Sequence, residues 1–250
     1  NLSHLVITLF KTKFMLFTRS KNLILDDLII STNHGTNIER VTEYKYLGIW
    51  LDDKLNFKYH VSKLVMSLRN KIGFFYRNRL SFPPHCRKML VEATFLSVLD
   101  YGDILYMHAS AATLKPLDSV YHSALRFITG DSYDTHHCDL YSNVGWPSLS
   151  VRRERHWVLF IYKALIGLLP PYISSMLSFN EGSYQTRSRD WITLQVPAVF
   201  TELGKSSFSY CAPATWNSVQ NYFKLSSFLS IGQFKSLTVS YFTSSCSCFT

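Results

Sequence analysis

The sequence has few cysteines, no long apolar run and, between Lys54 and Val91, no acidic residue. Its five cysteines are scattered without a CxxC pair, which excludes a disulfide framework and favours a reducing, intracellular compartment, nuclear or cytoplasmic. A membrane span needs about 20 apolar residues. The best candidate, Trp157 to Ile173, is interrupted by Lys163 and two prolines, so we expect a soluble protein without a membrane partner.

The positive charge of the chain is concentrated in one stretch. Outside Lys54 to Val91 the chain has 17 basic and 17 acidic residues, so the whole net charge of +9 comes from this stretch. A local excess of this kind is typical of a surface that binds a polyanion such as RNA or DNA, and the alternative is a solvated helix face. The nine basic residues are Lys54, Lys58, Lys63, Arg69, Lys71, Arg77, Arg79, Arg87 and Lys88.

Two clusters invite a metal hypothesis. His136, His137 and Cys138 are consecutive, but adjacent residues rarely supply several ligands to one closed tetrahedral site. Asp52 and Asp53 imitate a metal-binding turn, yet two-metal catalysis needs a further carboxylate, and none is evident. We therefore predict no metal site and no catalytic residue. Asp52 and Asp53 are assigned to a turn, with Asp53 or Asn56 as a helix cap.

The first third of the chain has the composition of short strands. Residues 5 to 17 are rich in Val, Ile, Leu and Phe, and the run Leu23 to Ile30 is flanked by turn residues, which favours a hairpin. Tyr44 to Asp53 is typical of a buried strand followed by a turn. Gly48 inside it indicates a bulge or the close approach of another group.

The remainder is mostly helical. Tyr59 to Leu80 has a 3.6-residue period, which predicts an amphipathic helix. Its apolar face consists of Val61, Leu64, Val65, Leu68, Ile72 and Phe75. Further helices are predicted at Pro84 to Met107, at Leu114 to Thr129 with Gly130 as C-cap, from a Ser148 or Ser150 cap to Gly167, at Tyr172 to Leu177, from Ala212, and at Gly232 to Phe242. Residues 131 to 147 are predicted to be a polar loop with about one turn of helix, and Trp191 to Val196 and Ser206 to Tyr210 to be strands.

Ordered segments along the chain resemble the late part of the reverse transcriptases of non-LTR (LINE-type) retrotransposons. In that family a KTK-type strand, here Lys11 to Phe17, lies near the end of the palm. A Y-x-Y-L-G segment, here Tyr44 to Asp53, forms the primer-gripping hairpin. Later segments that also resemble the family are LDYGDILY (Leu99 to Tyr106), YHSALRFITG (Tyr121 to Gly130), THHCDLY (Thr135 to Tyr141), and ELGKSSFSY followed by APATWNSVQ (Ala212 to Gln220).

This resemblance implies an α+β, mostly α fold. A small antiparallel β-rich palm remnant (1–57) would precede a helical thumb-like bundle (58–178) and a small mixed C-terminal region (179–250). The family's catalytic aspartates lie upstream of the KTK strand. We therefore expect a fragment that begins after the catalytic centre, with no cofactor of its own, although Mg²⁺ is implied for the intact enzyme.

The expected function is binding of template–primer duplex, RNA and DNA, without polymerisation by this chain alone. The alternatives are a stand-alone nucleic-acid-binding module and a pseudogene product that folds poorly. The sequence indicates neither oligomeric state nor which strand is bound. The predicted nucleic-acid-binding residues are Lys11, Lys13, Tyr46, Gly48, Lys63, Arg69, Lys71, Arg77 and Arg79.

Overall fold

A computed structural model describes residues 12–18, 28–33, 35–180 and 191–242. The chain divides into two compact units, Asn1–Phe127 (unit 1) and Ile128–Thr250 (unit 2). Helices dominate and the strands are few and short, which confirms the α+β, mostly α class. Among the described residues, the helices are all too short or too polar to cross a bilayer. The division at residues 57 and 178 stays a prediction.

The strands of unit 1 form two small sheets. They are β1 (Lys13–Phe14), β2 (Ile30–Ser31), β3 (Asn37–Arg40), β4 (Glu43–Tyr46) and β5 (Ile49–Asp52). In the first sheet β3 pairs in parallel with β1 and antiparallel with β2, so this sheet is mixed rather than antiparallel. The predicted strand at 5–17 and the hairpin at 23–30 lie largely outside the described residues.

β4 and β5 form an antiparallel hairpin in which Tyr46 pairs with Ile49 across the turn residues Leu47 and Gly48. The hairpin implied by the resemblance is therefore confirmed, whereas the prediction of one buried strand from Tyr44 onward was wrong. β4 is exposed along its length and only β5 is partly buried. Leu47 and Gly48 have φ of 45° and 88°, the positive values that two-residue type I′ turns require.

The amphipathic helix is present as α1 (Lys58–Arg77), and the six apolar residues predicted for its inner face are all buried. His60 is buried beside them, and its Nδ1 accepts a hydrogen bond of 3.4 Å from the backbone N–H of Trp50 in β5. Phe75 stacks on Phe127 with 5.3 Å between the ring centroids. The core of unit 1 thus lies under α1.

The remaining helices of unit 1 depart from the predicted pattern at one point. The helix predicted from Pro84 to Met107 is interrupted at Tyr101 and Gly102, because Gly102 takes a left-handed conformation with φ of 66°. The pieces are α2 (Pro84–Val91), a π-helical turn (Glu92–Leu96), α3 (Ser97–Leu99) and α4 (Asp103–Tyr106). α5 (Ala111–Thr129) follows and ends before Gly130, whose φ of 86° agrees with the predicted C-cap.

Unit 2 continues with α6 (His137–Val144), α7 (Leu149–Leu165), α8 (Pro171–Ser174), α9 (Glu202–Lys205), α10 (Phe208–Phe223) and α11 (Ile231–Tyr241). The Ser148 cap of α7 is confirmed, since its side chain accepts from the Val151 N–H. Within the loop predicted at 131–147, α6 supplies two turns of helix rather than one. The strand predicted at Ser206 to Tyr210 was wrong, because α10 begins at Phe208, five residues before Pro213.

The strand predicted at Trp191 to Val196 forms only one bridge, between Leu194 and Phe179. The rest of its backbone bonds neighbouring loop backbone and side chains of α10. Asn217 both donates to the Leu194 carbonyl (2.7 Å) and accepts from its N–H (2.8 Å), and Trp216 donates to the Ile192 carbonyl (2.6 Å). The APATWNSVQ segment therefore has a structural role in fixing an extended chain against α10.

Candidate nucleic-acid interface

The outer face of α1 is cationic, because the helix has five basic residues and no acidic one. Lys63, Asn70 and Arg77 follow one another at intervals of seven residues, so they lie along one line on this face. All three are exposed. From Lys63 to Arg77 this line is about 21 Å long at a rise of 1.5 Å per residue, which is enough for several phosphate contacts.

Lys63 and Arg77, the two cations of this line, both lie close to the helix surface. The Lys63 ammonium lies 5.1 Å from the centre of the Tyr59 ring, a cation–π contact. A Cβ added at Gly73 would lie 3.3 Å from the Arg77 guanidinium, which shows that this side chain folds back over Gly73. Phe74 is half exposed on the same side. A nucleic acid following this line would meet both charge and an aromatic ring.

Arg69 and Lys71 do not share this line or a common flank. Residues two apart on an α-helix point about 200° apart, so the two cations lie on opposite sides of the outer face. Arg69 lines a groove of ≈ 520 Å³ between α1 and the start of α5. Lys58, three turns earlier, lines the same groove, whose floor includes Val61 and Val65. The structure thus separates the predicted cations into an outer line and two flanks.

The three aromatic residues before Arg77 have different roles. Phe75 is 4% exposed and belongs to the core, whereas Phe74 is 50% exposed. The Tyr76 hydroxyl donates to the Ser123 carbonyl at 3.2 Å, and burial raises the pKa of this phenol while Arg79 and Arg126 partly oppose the shift. Phe74 is the most exposed of these three side chains. Arg79 lies just after α1, in a 3₁₀ turn.

The tip of the β4–β5 hairpin presents exposed side chains. Tyr46 and Leu47 are 59% and 72% exposed. Gly48 lies against Tyr101, since a Cβ there would be 3.1 Å from that ring. The Tyr101 hydroxyl donates to the Leu47 carbonyl at 2.6 Å. The close approach predicted at Gly48 is therefore present, and it is made by another segment of unit 1.

The two lysines of the KTK segment are Lys11 and Lys13. Lys11 lies outside the described residues. Lys13 forms an ion pair with Glu39, its neighbour across the parallel pairing of β1 and β3. Glu39 therefore compensates the charge of Lys13.

Asp52 and Asp53 are the pair that imitates a metal-binding turn in the sequence. The Asp52 side chain is buried, and its oxygens accept from the backbone N–H groups of Lys54 (3.1 Å), Asn56 (3.1 Å) and Phe57 (2.8 Å). Asn56 in turn accepts from the Lys58 N–H at 2.8 Å. The turn assignment is confirmed by these bonds of Asp52. The prediction of Asp53 or Asn56 as the cap was wrong, because the N-cap of α1 is Phe57, without a side-chain cap hydrogen bond. Both oxygens of Asp52 thus bond the backbone of the turn.

Sequence reasoning missed two features of this region. Lys58 was counted among the basic residues but not chosen, although its spacing of eleven residues from Arg69 places both on one side of α1. Tyr101 was assigned to a helix interior. Only the neighbouring glycine hinted that the ring stands at a break in the helix, where it can reach the hairpin turn.

Comparison with known proteins gives one relevant similarity. Over 121 residues the chain is 28% identical to the RNA-directed DNA polymerase from mobile element jockey of Drosophila melanogaster. The alignment covers 46% of this chain and 13% of that protein. This partial match supports a relationship to non-LTR reverse transcriptases. No family model matches the chain, and no solved structure matches it.

Proposed function

We propose that this chain binds template–primer duplex, RNA and DNA, as the palm-edge and thumb part of a non-LTR reverse transcriptase, and that it does not polymerise on its own. The observation that carries the proposal is α1, a 20-residue helix without an acidic residue that exposes Lys63 and Arg77 along one line. Cations spaced along a rigid helix neutralise phosphates without reading sequence.

The similarity to an RNA-directed DNA polymerase supports the choice of template–primer over other polyanions. The exposed hairpin tip with Tyr46 is a second contact surface for the same duplex. We propose that the chain does not polymerise because Asp52 of the Asp–Asp pair accepts hydrogen bonds from the backbone of the turn before α1.

The test is the salt dependence of binding, measured by fluorescence anisotropy with labelled RNA–DNA and DNA duplexes. Three to five phosphate contacts predict a slope of log K against log[salt] of roughly −3 to −4.5. Replacing Arg77 and Arg79 by Ala should flatten the slope by up to about 2 and weaken binding to all sequences alike. Salt-insensitive binding would refute the proposal and leave α1 as a solvated face.

The matched control is Lys115→Ala with Lys235→Ala, two exposed lysines outside the basic stretch. Arg152 and Arg153 are less suitable, because Arg153 is only 6% exposed and its loss would disturb folding. An equal effect of the control pair would show that only total charge matters.

Polymerisation is tested separately, on an RNA template with a DNA primer and Mg²⁺. Template-directed extension by the purified chain would overturn the inactive assignment. The alternative of a stand-alone binding module is tested on the genome: an in-frame aromatic-x-Asp-Asp turn upstream of Asn1 would contradict it.

A further inference from the structure

His136, His137 and Cys138 of unit 2 are consecutive in sequence, and yet their side chains converge. One ligand atom from each residue, two imidazole nitrogens and the thiol sulfur, lies within 4.8 Å of the others. Neighbouring side chains diverge by about 100° in a helix and by about 180° in a strand. Convergence of three consecutive side chains therefore needs a change of backbone direction within the triplet.

The start of α6 supplies that change. His136 is the N-cap and has extended backbone, with φ of −63° and ψ of 144°, while His137 and Cys138 are the first two helical residues. The His136 Nδ1 accepts from the Cys138 N–H at 3.4 Å, so the ring is folded over the first turn. A side chain from before the helix thus comes to lie beside two from within it.

Ring contacts further define the positions of the imidazoles. The His136 and His137 rings lie 4.1 Å apart at 34°, and the His137 ring meets Tyr141 edge-on at 5.7 Å. Tyr141 is 7% exposed, which anchors this face of α6. His136 is exposed and the other two residues are half-buried, so the cluster is accessible from solvent.

We propose that His136, His137 and Cys138 bind a borderline-soft divalent cation, and specifically Zn²⁺. Imidazole and thiolate ligands suit zinc, whereas Mg²⁺ and Ca²⁺ take oxygen ligands. Three protein ligands leave a fourth tetrahedral position for water, the arrangement of open zinc sites. The site is distinct from α1 and from the proposed binding of nucleic acid, so either proposal can fail without the other.

The experiment uses the full chain and two metals. Zn²⁺ affinity is measured by competition with a chromophoric chelator, and Co²⁺ is added as a spectroscopic probe because its thiolate complexes absorb strongly in the near ultraviolet. We expect one metal per chain and a thiolate–cobalt band. Loss of an outer-shell partner typically costs about 10- to 100-fold in metal affinity, so removal of a direct ligand should cost at least that.

The variants separate ligation from folding. Cys138→Ser should abolish the cobalt band. His136→Asn should weaken Zn²⁺ binding while an N-cap acceptor is retained, since Asn is among the best N-cap residues. Circular dichroism verifies that each variant keeps its helix content. The matched control is Cys86→Ser, which removes a thiol that also follows a histidine, within α2.

Retention of the band in Cys138→Ser, or its equal loss in Cys86→Ser, would overturn the proposal. Unchanged Zn²⁺ affinity in folded His136→Asn would likewise exclude His136 as a ligand and overturn the three-residue site. A stoichiometry well above one metal per chain that is insensitive to these substitutions would show nonspecific surface binding instead.

Discussion

Unit 1 has 17 basic and 10 acidic residues, a net charge of +7, whereas unit 2 has nine and seven, a net charge of +2. The two units also use polar side chains differently. In unit 2, Gln220 is fully buried and bonds the Ile192 carbonyl and both backbone groups of Leu225. In unit 1, Lys63 and Arg77 are on the outside of α1. Polar groups that satisfy buried backbone contribute to stability, whereas the exposed cations of unit 1 are accessible to an anion.

Unit 2 has a core of stacked aromatic side chains. Tyr162 stacks on Phe234 with 3.7 Å between ring centroids and on Trp216 with 5.9 Å. The Tyr162 hydroxyl donates to the Leu229 carbonyl at 2.6 Å and accepts from the Leu229 N–H at 2.7 Å. Aromatic packing and hydrogen bonds to the loops coincide here, which suggests that truncation in this core has the largest effect on stability.

Trp216→Ala is the substitution in unit 2 that we expect to lower the free energy of unfolding most. The indole is fully buried, and its N–H donates to Ile192. Burial, a cavity and a lost hydrogen bond together should lower the free energy of unfolding by about 3–5 kcal/mol. The measurement is denaturant unfolding followed by circular dichroism.

The control is Phe200→Ala, which truncates an aromatic side chain that is 99% exposed. It should change stability by no more than about 0.5 kcal/mol. A loss below about 1 kcal/mol for Trp216→Ala would contradict the assignment of unit 2 as a core held by buried aromatics.

Gly48→Val tests whether the hairpin of unit 1 depends on its contact with Tyr101. The substitution places a β-branched residue at φ of 88° and a Cβ 3.1 Å from the Tyr101 ring. Strain and overpacking should lower the free energy of unfolding by at least about 1 kcal/mol. Gly35→Val provides the matched control, with a similar φ of 75° and nothing within 4 Å. Equal losses in the two variants would mean that backbone strain alone, and not Tyr101, explains the effect.

The two flanks of α1 can be separated by single substitutions. Arg69 shares its groove with Lys58, whereas Lys71 lies on the opposite flank. We expect Arg69→Ala to flatten the salt slope of duplex binding by about 1, the value for one lost phosphate contact, and Lys71→Ala to flatten it less. A larger effect of Lys71→Ala would place the duplex on the other flank of the helix.

Periodicity was sufficient to predict α1, because six apolar residues recur along its inward face, although His60 is also buried and Met66 and Phe74 are exposed. The same reasoning failed at Tyr101, where a left-handed glycine breaks an otherwise helical pattern. It also failed at 206–210, because alternation of serines with aromatics imitates a strand over so short a stretch. Tertiary contacts decide such segments, and their sequence signal is weak.

For the candidate site, charge placement singled out α1 but did not give the arrangement of cations around it. Counting residues does not reveal that Arg69 and Lys71 point apart, whereas the 3.6-residue period does. The pairing of Lys13 with Glu39 depends on the parallel register of β1 and β3, which joins segments 26 residues apart. The sequence contains no local indication of that pairing.

His60 provides the smallest predicted effect and tests how hairpin and α1 are joined within unit 1. Burial, and secondarily the nearby Lys45, lowers the pKa of this imidazole from its ordinary value of 6.5. The unfolded chain therefore takes up a proton that the folded chain does not, so stability present above pH 6.5 is lost as the pH falls toward the folded pKa. Unfolding midpoints measured from about pH 8 to about pH 5 should show this decline.

His60→Gln should flatten that profile, because an amide oxygen can still accept from the Trp50 N–H but does not titrate in this range. His85→Gln, at an exposed position of α2, is the control and should leave the pH dependence unchanged. If His60→Gln and the parent chain lose stability in parallel on acidification, the decline arises from other groups. The contact between β5 and α1 would then not be sensitive to acid.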